Sequence, residues 1–325
     1  MAFNRILIAN RGEIAIRLAR AIADCDATSV AVYAEDDAQS LHVRSADQAV
    51  ALQGQGVAAY LDAAQLIRIA KEQDCDAIHP GYGFLSENAD FARACQQAGI
   101  TFIGPAPEVL DTFGDKASAR RLAQQQGVPL TQGTNEPTTL EQARDFMQSL
   151  GDGAAVMLKA LAGGGGRGMR AVHDLAELDD AFARCSSEAT AAFGRGDLYV
   201  ERLIRRARHI EVQIIGDGSE VAHVWERDCT LQRRNQKLLE VAPAPSLDPA
   251  VRKQLHEAAC TLTRAVGYRG LCTVEFLLDE ERGDFVFMEA NPRIQVEHTV
   301  TEAVTGLDLA VTQIQLAAGK TLAEL

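Results

Sequence analysis

Two acidic residues near the C-terminal end of the sequence stand where a metal ion could bind. Glu275 and Glu289 interrupt two apolar segments within residues 272–291, and a charged turn separates these segments. If the segments pair as antiparallel strands about Arg282, Glu275 lies opposite Glu289 on one face of the sheet. Two like charges repel each other there, and Mg²⁺ bound to both carboxylates and to substrate phosphates relieves the repulsion. Asn291 projects to the same face and adds a carbonyl oxygen.

The segment that follows carries a polar residue at every second position. Residues 291–297 read Asn-Pro-Arg-Ile-Gln-Val-Glu. In an extended strand the polar side chains share one face, and Ile294 and Val296 point the other way. A wall of Asn, Arg, Gln and Glu next to two acidic residues indicates metal–nucleotide chemistry. A solvated outer face with acids placed by chance is the alternative.

A run of glycines offers a second kind of chemistry, the binding of phosphate groups. It follows an apolar segment that contains Lys159, and it consists of Gly163, Gly164, Gly165 and Gly166. A Walker A loop needs Lys and then Ser or Thr after its last glycine, whereas Arg167 and Gly168 follow here. Because both flanks are apolar strands, the run predicts a hairpin that closes over phosphates and offers them backbone N–H groups. An incidental loop is the alternative.

The elements that must position these residues form two predicted domains, and the first covers residues 1–114. Its predicted strands and helices alternate: strands 5–9, 29–33, 76–80 and 100–104, and helices 13–25, 63–73 and 88–99. This alternation predicts parallel βαβ units and therefore an open α/β sheet. Only Gly12 follows the first strand, so the GxGxxG fingerprint of dinucleotide binding is missing.

The second predicted domain, residues 115–325, has α+β character with an antiparallel sheet. Its predicted strands are 155–160, 169–172, 198–204, 209–216, 220–227, 272–279 and 284–291, and its predicted helices are 115–127, 175–193, 251–267 and 307–319. The last helix has an apolar side that we expect to be partly exposed.

Composition narrows the class of protein. The chain has 325 residues, a net charge of −13 and 47% hydrophobic residues, which argues against general binding to nucleic acid or to anionic membranes. Its seven cysteines include no CxxC pair and are expected to be reduced thiols. The N-terminal segment lacks the apolar run of a signal peptide or a membrane span. We therefore expect a cytoplasmic protein.

Taken together, these features resemble the ATP-grasp enzymes, and specifically the biotin carboxylases. The resemblance rests on strings in the family's order over essentially the whole chain: ANRGEIAIR (9–17), HPGYGFLSEN (79–88), FIGP (102–105), GDKASAR (114–120), KALAGGGGRGM (159–169), RHIEVQ (208–213), ERDCTLQRRNQK (226–237), EFLLD (275–279) and EANPRIQVEH (289–298). The resemblance implies an N-terminal α/β domain followed by an ATP-grasp unit with a glycine-rich lid subdomain at about 131–203. It also implies ATP-dependent carboxylation of biotin by bicarbonate through carboxyphosphate.

The resemblance also assigns residues to that chemistry. For the nucleotide it implies Lys116, Lys159 and the glycine run at the phosphates, Glu201 with the backbone of Arg202 and Ile204 at adenine, and His209, Gln232 and Asn235 near ribose and phosphate. For the metal, Mg²⁺ or alternatively Mn²⁺, it implies Glu275, Glu289 and Asn291. For bicarbonate it implies Lys237, Arg293, Gln295 and Val296, with Glu297 as general base and Tyr82 near biotin.

Three departures and two rival interpretations accompany the resemblance. Ala162 stands in a shorter glycine run than expected, Asn235 stands where histidine is common, and Arg202 stands where lysine is common. The family continues for another domain beyond residue 325, so we expect this chain alone to be incomplete for biotin carboxylation. The resemblance implies a biotin carrier and a carboxyltransferase as partners, a homodimer, and acyl-CoA, pyruvate or urea as final acceptor. The rivals are another ATP-grasp carboxylate ligase and a non-catalytic nucleotide-binding fragment.

Overall fold

The computed structural model describes residues 2–134, 136–151, 153–161, 168–234 and 236–325. The strands are β1 (Arg5–Ile8), β2 (Thr28–Tyr33), β3 (Gln48–Ala51), β4 (Ala77–His79), β5 (Thr101–Phe102), β6 (Val156–Ala160), β7 (Met169–Val172), β8 (Leu198–Arg202), β9 (Ala207–Asp217), β10 (Val221–Arg233), β11 (Gln236–Val241), β12 (Arg269–Asp279) and β13 (Phe285–Asn291). The helices are α1 (Gly12–Asp24), α2 (Leu41–Ser45), α3 (Gly56–Tyr60), α4 (Ala63–Glu72), α5 (Ala89–Gln97), α6 (Pro107–Gly114), α7 (Lys116–Gln125), α8 (Leu140–Ser149), α9 (Leu178–Phe193), α10 (Pro249–Ala265), α11 (His298–Thr305) and α12 (Leu309–Ala317).

The first sheet is parallel, and its strand order is β3-β2-β1-β4-β5. Helix α1 covers it because Ile14, Leu18 and Ile22 recur every fourth residue and are at most 2% exposed. The predicted α/β fold is confirmed, with β1 at the centre and β4 beside it. The loops after these two strands meet at one edge of the sheet, where open α/β sheets bind ligands.

The second sheet is antiparallel, with the order β11-β10-β9-β12-β13. Helix α10 packs on one face; it begins where the Asp248 side chain accepts from two backbone N–H groups, next to Pro249. The side chains of Val212, Val274 and Phe276 point to that face and are completely buried. The intervening positions of the same strands carry polar residues to the opposite face, where the site lies.

The third sheet, called the lid sheet below, has the order β7-β6-β8 and packs on α8 and α9 with its own hydrophobic core. Strands β6 and β7 are antiparallel neighbours, with Val156 opposite Val172, so the hairpin pairing predicted for the glycine segment is confirmed. At Gly133 the preceding chain passes very close to the backbone of strand β8. A Cβ atom there would lie 2.5 Å from the Val200 carbonyl oxygen, so only glycine fits this approach.

Helix α12 differs from the sequence-based expectation. Leu309, Ile314 and Leu316 are at most 2% exposed, because α12 packs against α1 and β12. The expected exposed apolar side is therefore wrong for these residues, which belong to the core between the first two sheets. None of the helices in the described ranges combines the length and the apolar character needed to cross a bilayer.

Candidate active site

Strands β12 and β13 bring the two acidic residues together as predicted. Glu275 pairs directly with Glu289, and Thr273 pairs with Asn291. The register shifts by one residue between Glu275 and Phe276, beyond the acidic pair, so the shift leaves this pair intact. The cross-strand carboxylate pair predicted from the hairpin is confirmed.

The carboxylate of Glu275 is fully engaged by neighbouring side chains. Its Oε2 atom lies 2.6 Å from His209 Nε2. Its Oε1 atom accepts from Asn291 Nδ2 at 2.8 Å, Gln295 Nε2 at 3.1 Å and Lys237 Nζ at 3.2 Å. Burial alone would raise the pKa of Glu275, but the His209 hydrogen bond and the Lys237 charge outweigh it and lower the pKa. Glu275 is therefore ionised at neutral pH.

The carboxylate of Glu289 is in a different situation. It makes no hydrogen bond or ion pair with any other residue in the part of the chain that the structure describes. Burial and the negative charge of Glu275 raise the pKa of Glu289, and the Lys116 ammonium opposes this only in part. Glu289 is thus a carboxylate without a strong partner beside another carboxylate, a position in which a cation would be stabilised.

Lys237 connects the acidic pair to a second group of acids. Its Nζ atom lies 2.5 Å from Glu211 Oε2, 2.6 Å from Glu297 Oε1 and 3.2 Å from Glu275 Oε1. Burial would lower the pKa of this lysine, but the three carboxylates raise it well above its usual range. Burial alone would raise the pKa of Glu297, but the charge and hydrogen bond of Lys237 outweigh it and lower the pKa. Both members of the Lys237–Glu297 pair are therefore charged at neutral pH.

Arg227 lies beneath this cluster and is completely buried. Its Nε atom donates to Glu211 Oε1 at 2.5 Å, and its Nη2 atom donates to Gln295 Oε1 at 3.1 Å. Further hydrogen bonds reach Gln213, Thr273 and Thr301. The guanidinium therefore fixes both Glu211, a partner of Lys237, and Gln295, a partner of Glu275.

Sequence reasoning assigned no chemistry to Glu211 or Arg227. The available signal was the alternation of His209, Glu211 and Gln213 in strand β9, which puts three polar side chains on the same buried face. The possible ligand atoms of His209, Glu211 and Glu275 lie within 4.8 Å of one another. Arg227 and Lys237 pair with Glu211, and Lys237 and His209 contact Glu275, so both acids of this triad have partners without a metal.

The polar segment after Asn291 reaches the site by a different route from the one predicted. Strand β13 ends at Asn291, and the following residues turn instead of continuing the strand. Ile294 is 1% exposed and Val296 is 63% exposed, so these two residues do not share an apolar face. The prediction of an extended wall over 291–297 is wrong. Gln295 and Glu297 converge on the site because the turn directs them there.

Arg293 and Tyr82 lie at the border with the first sheet. The Arg293 guanidinium binds Glu87 and also donates to Asn291 Oδ1 at 3.1 Å. The Tyr82 hydroxyl donates to Glu13, and the charge of Glu297 acts on this hydroxyl as well. The loop after β4 therefore meets the turn after β13, although the two are more than 200 positions apart in sequence.

The Tyr82 loop is fixed to the loop after β1. Asn10 Nδ2 donates to the carbonyl oxygens of Pro80 and Tyr82, at 2.7 and 2.8 Å. Gly81 has a φ of +65°, and a Cβ atom there would lie 3.0 Å from Asn10 Nδ2. The loop that carries Tyr82 thus depends on glycine at this position.

The predicted nucleotide residues form a second group, between α7 and the third sheet. Lys159 pairs with Glu201, which Arg120 also contacts at 2.6 Å. Lys116 lies close enough to Lys159 and Glu201 for their charges to influence its pKa, which burial lowers. The Glu289 charge also acts on Lys116, and α7 packs against β13, so the cationic cluster lies near Glu289.

Other predicted nucleotide residues lie next to Glu275 and its partners. Gln232 Nε2 lies 2.8 Å from His209 Nδ1, so the histidine proton is assigned to Nε2, which donates to Glu275. The Arg202 side chain pairs with Asp279 at 2.8 Å, and Ile204 is 9% exposed. The predictions for Gly163, Gly164, Gly165, Gly166 and Asn235 lie outside the described residues.

Comparison with known families agrees with this geometry. Residues 115–325 match the family described as carbamoyl-phosphate synthase L chain, ATP binding domain. Residues 2–110 match the biotin carboxylase N-terminal domain. An α/β domain followed by antiparallel and lid sheets, with lysines and paired carboxylates between them, defines an ATP-grasp enzyme.

Individual relatives indicate which family of ATP-grasp enzymes this chain belongs to. Pyruvate carboxylase 1 of Caenorhabditis elegans is 52% identical over 328 residues, which are 99% of this chain and 28% of that protein. The biotin carboxylase domain of a single-chain bacterial carboxylase is 57% identical, with a TM-score of 0.88 over 99% of this chain and 69% of that one. The chain belongs to the biotin carboxylase family, and it spans little more than a quarter of the curated relative's length.

A further solved relative was crystallised with ligands. The biotin carboxylase domain of 2-oxoglutarate carboxylase from Hydrogenobacter thermophilus is 43% identical, with a TM-score of 0.93. The match covers 99% of this chain and 71% of that one, whose structure contains MgADP, ADP and bicarbonate.

Proposed function

We propose that this chain carries the ATP- and bicarbonate-dependent carboxylation of biotin, the first half-reaction of a biotin-dependent carboxylase. The observation that carries the proposal is the Lys237 ammonium, which lies 2.6 Å from Glu297 and 3.2 Å from Glu275. This lysine joins a candidate base to the acidic pair suited to a metal–nucleotide complex. Phosphoryl transfer to a small anion needs these groups side by side.

The anion is bicarbonate in this proposal. Lys237 and Arg293 supply positive charge, Gln295 supplies an amide donor, and the Val296 backbone completes the site. Glu297 takes the bicarbonate proton, which raises the negative charge on the attacking oxygen. Because Lys237 keeps Glu297 ionised, the carboxylate is ready to accept a proton at neutral pH.

The reaction then proceeds by transfer of a phosphoryl group. A bicarbonate oxygen forms a bond to the γ-phosphorus of ATP, the bond to the β-phosphate oxygen breaks, and ADP leaves. The product is carboxyphosphate. Its carboxyl carbon bonds to a ureido nitrogen of biotin as its bond to the phosphate oxygen breaks, and the phosphate that leaves takes the proton lost by that nitrogen. Lys116 and Lys159 stabilise the negative charge of the phosphates during the transfer. Tyr82 borders the space for biotin.

The acidic pair fits a divalent cation. Glu289 has no strong partner among the described residues, and its pKa is raised beside Glu275, as expected of a carboxylate that a cation would stabilise. We propose Glu289 and Glu275 as ligands of Mg²⁺, with Asn291 as the neighbouring amide. When bound, the ion neutralises charge on the nucleotide phosphates. Manganese(II) prefers similar oxygen ligands.

Relatives with different acceptors support assignment to the first half-reaction. They are named for pyruvate and for 2-oxoglutarate, yet their similarity to this chain covers the same region. We therefore propose that this region serves biotin on a carrier protein or domain, and that a carboxyltransferase determines the acceptor. Pyruvate and acyl-CoA are the acceptor classes that we would test first.

The test measures ATP turnover with Mg²⁺, with and without bicarbonate and free biotin. The proposal predicts phosphate release that rises with bicarbonate and needs no other carboxylate. Stimulation by a different carboxylic acid, and not by bicarbonate, would favour another ATP-grasp ligase. Binding of MgATP without any turnover would favour a non-catalytic nucleotide-binding protein. Equal turnover with and without bicarbonate would contradict the proposal.

A further inference from the structure

Glu201 is a buried carboxylate that two cations share. Its side chain is 4% exposed, on strand β8 of the lid sheet. Arg120 Nη1 donates to Glu201 Oε1 at 2.6 Å, and Lys159 Nζ forms an ion pair with Oε2. Each carboxylate oxygen therefore has a cationic partner, and the two partners come from different elements.

The two cations differ in how firmly the fold holds them. Arg120 is one turn after Lys116 on α7, its side chain is 11% exposed, and its Nη2 atom also donates to the Thr131 carbonyl oxygen at 3.2 Å. Lys159 is 18% exposed, and its ammonium lies 6.0 Å from the Tyr199 ring. A planar guanidinium can hold two acceptors in fixed directions, whereas an ammonium on a flexible stem can change partners.

Nucleotide binding would place conflicting demands on Lys159. As a phosphate ligand this lysine must turn its charge toward the nucleotide and weaken its contact with Glu201. A buried carboxylate that loses its partner is strongly destabilised, and this cost would weaken the binding of the nucleotide. Arg120 removes the conflict, because it already binds the other oxygen of the same carboxylate.

We propose that Arg120 is a positioning residue for nucleotide binding. It remains the counter-ion of Glu201 and so releases Lys159 to bind the phosphates of a nucleoside triphosphate. The inference rests on the proposed function, because it takes Lys159 as a phosphate ligand. It also assigns the Glu201 carboxylate to charge compensation, which leaves adenine to backbone groups such as those of Arg202 and Ile204.

The test measures the Kd of MgATP by titration calorimetry for the wild-type chain and four variants. Arg120→Met should weaken binding about tenfold or more, because Lys159 is then held by Glu201. Arg120→Lys retains the charge and should stay within about threefold of wild type. The double variant Arg120→Met/Glu201→Gln should recover to within about threefold, because the carboxylate that competes for Lys159 is gone.

Arg121→Met is the matched control on the same helix. Its side chain is 63% exposed and lies 3.9 Å from Asp115, so MgATP binding should not change. Recovery in the double variant would show that the Glu201 carboxylate, and not the lost packing of the Arg120 side chain, weakens binding. If Arg120→Met does not fold, Arg120→Gln takes its place with the same expectation, since it keeps hydrogen-bonding atoms but no charge.

Two results would overturn the inference while leaving the proposed function in place. One is an Arg120→Met protein that binds MgATP as tightly as wild type. The other is a double variant that binds no better than Arg120→Met. A wild-type chain that does not bind MgATP would instead contradict the proposed function itself, and the inference with it.

Discussion

Glu289 and Glu275 are neighbours in the same cross-strand pair, yet only Glu275 has hydrogen-bond partners among the described residues. We expect Glu289→Gln to lower Mg²⁺-dependent ATP turnover by about a hundredfold or more, because a metal-binding charge is lost. The apo protein should be no less stable, since the substitution removes a repulsion and breaks no ion pair. Turnover assays and thermal unfolding of the same preparations check both expectations.

The matched control for Glu289 lies in the turn of the same hairpin. Glu281 is exposed between β12 and β13, and Glu281→Gln should change neither turnover nor thermal stability. Near-normal turnover of a folded Glu289→Gln protein would remove Glu289 from the metal site.

Glu297 is the residue whose protonation state matters most to the proposed reaction. Burial would raise its pKa, and Lys237 lowers it, so the carboxylate stays ionised through the neutral range. Glu297→Gln should lower bicarbonate-dependent phosphate release by about 10²–10⁴-fold, because an amide accepts no proton. Binding of MgATP, measured by calorimetry, should be retained. A parallel loss of ATP binding and phosphate release would make Glu297 a structural residue.

Individual site residues were predictable from sequence to different extents. The Glu275–Glu289 pair follows from strand period and hairpin symmetry, which are local properties. The turn after Asn291 was missed because the polar alternation was taken for a strand, although Pro292 is a signal against a continuing strand. Arg227 was missed because nothing local distinguishes an arginine that will be buried under a site from one on a surface.

At the scale of elements, α12 is the clearest correction, and its packing can be measured. Ile314 is 2% exposed in the core between the first two sheets. Ile314→Ala should lower the free energy of unfolding by about 2–5 kcal/mol through lost burial and a residual cavity. Val304→Ala is the control, because Val304 is 46% exposed on α11. Equal urea midpoints for the two variants would contradict the observed packing.

Most elements with buried apolar residues were predicted to within a few residues. Exposed strands were missed, and so were the short helices α6, α8 and α11. Strands β1, β2 and β6 match their predicted ranges closely because buried apolar residues define them. Strand β7 also matches its predicted range, although only Val172 in it is buried. Strand β3 was not predicted, since its residues are mostly exposed and it is an edge strand. Strand β11 was missed for the same reason: Leu238 and Leu239 are 65% and 52% exposed. The domain boundary at residue 114 stays a prediction.

At the scale of the whole molecule, the site depends on contacts that sequence spacing does not encode. The Arg293–Glu87 pair joins the second sheet to the loop after β4. The Arg120–Glu201 pair joins α7 to the lid sheet. Only the family resemblance brought Tyr82 and Glu297 into one site, and the structure gives a physical basis for it through the packing of the two sheets.

The central claim is that bicarbonate, and not water, receives the γ-phosphoryl group. If a bicarbonate oxygen attacks phosphorus, that oxygen stays on the phosphate when carboxyphosphate later breaks down. The most direct measurement uses ¹⁸O-labelled bicarbonate with MgATP and determines the label in the released phosphate by mass spectrometry, even where turnover is slow. We expect one labelled oxygen in each phosphate released by the bicarbonate-dependent reaction. Phosphate that forms without label would contradict the account, because water would then be the phosphoryl acceptor.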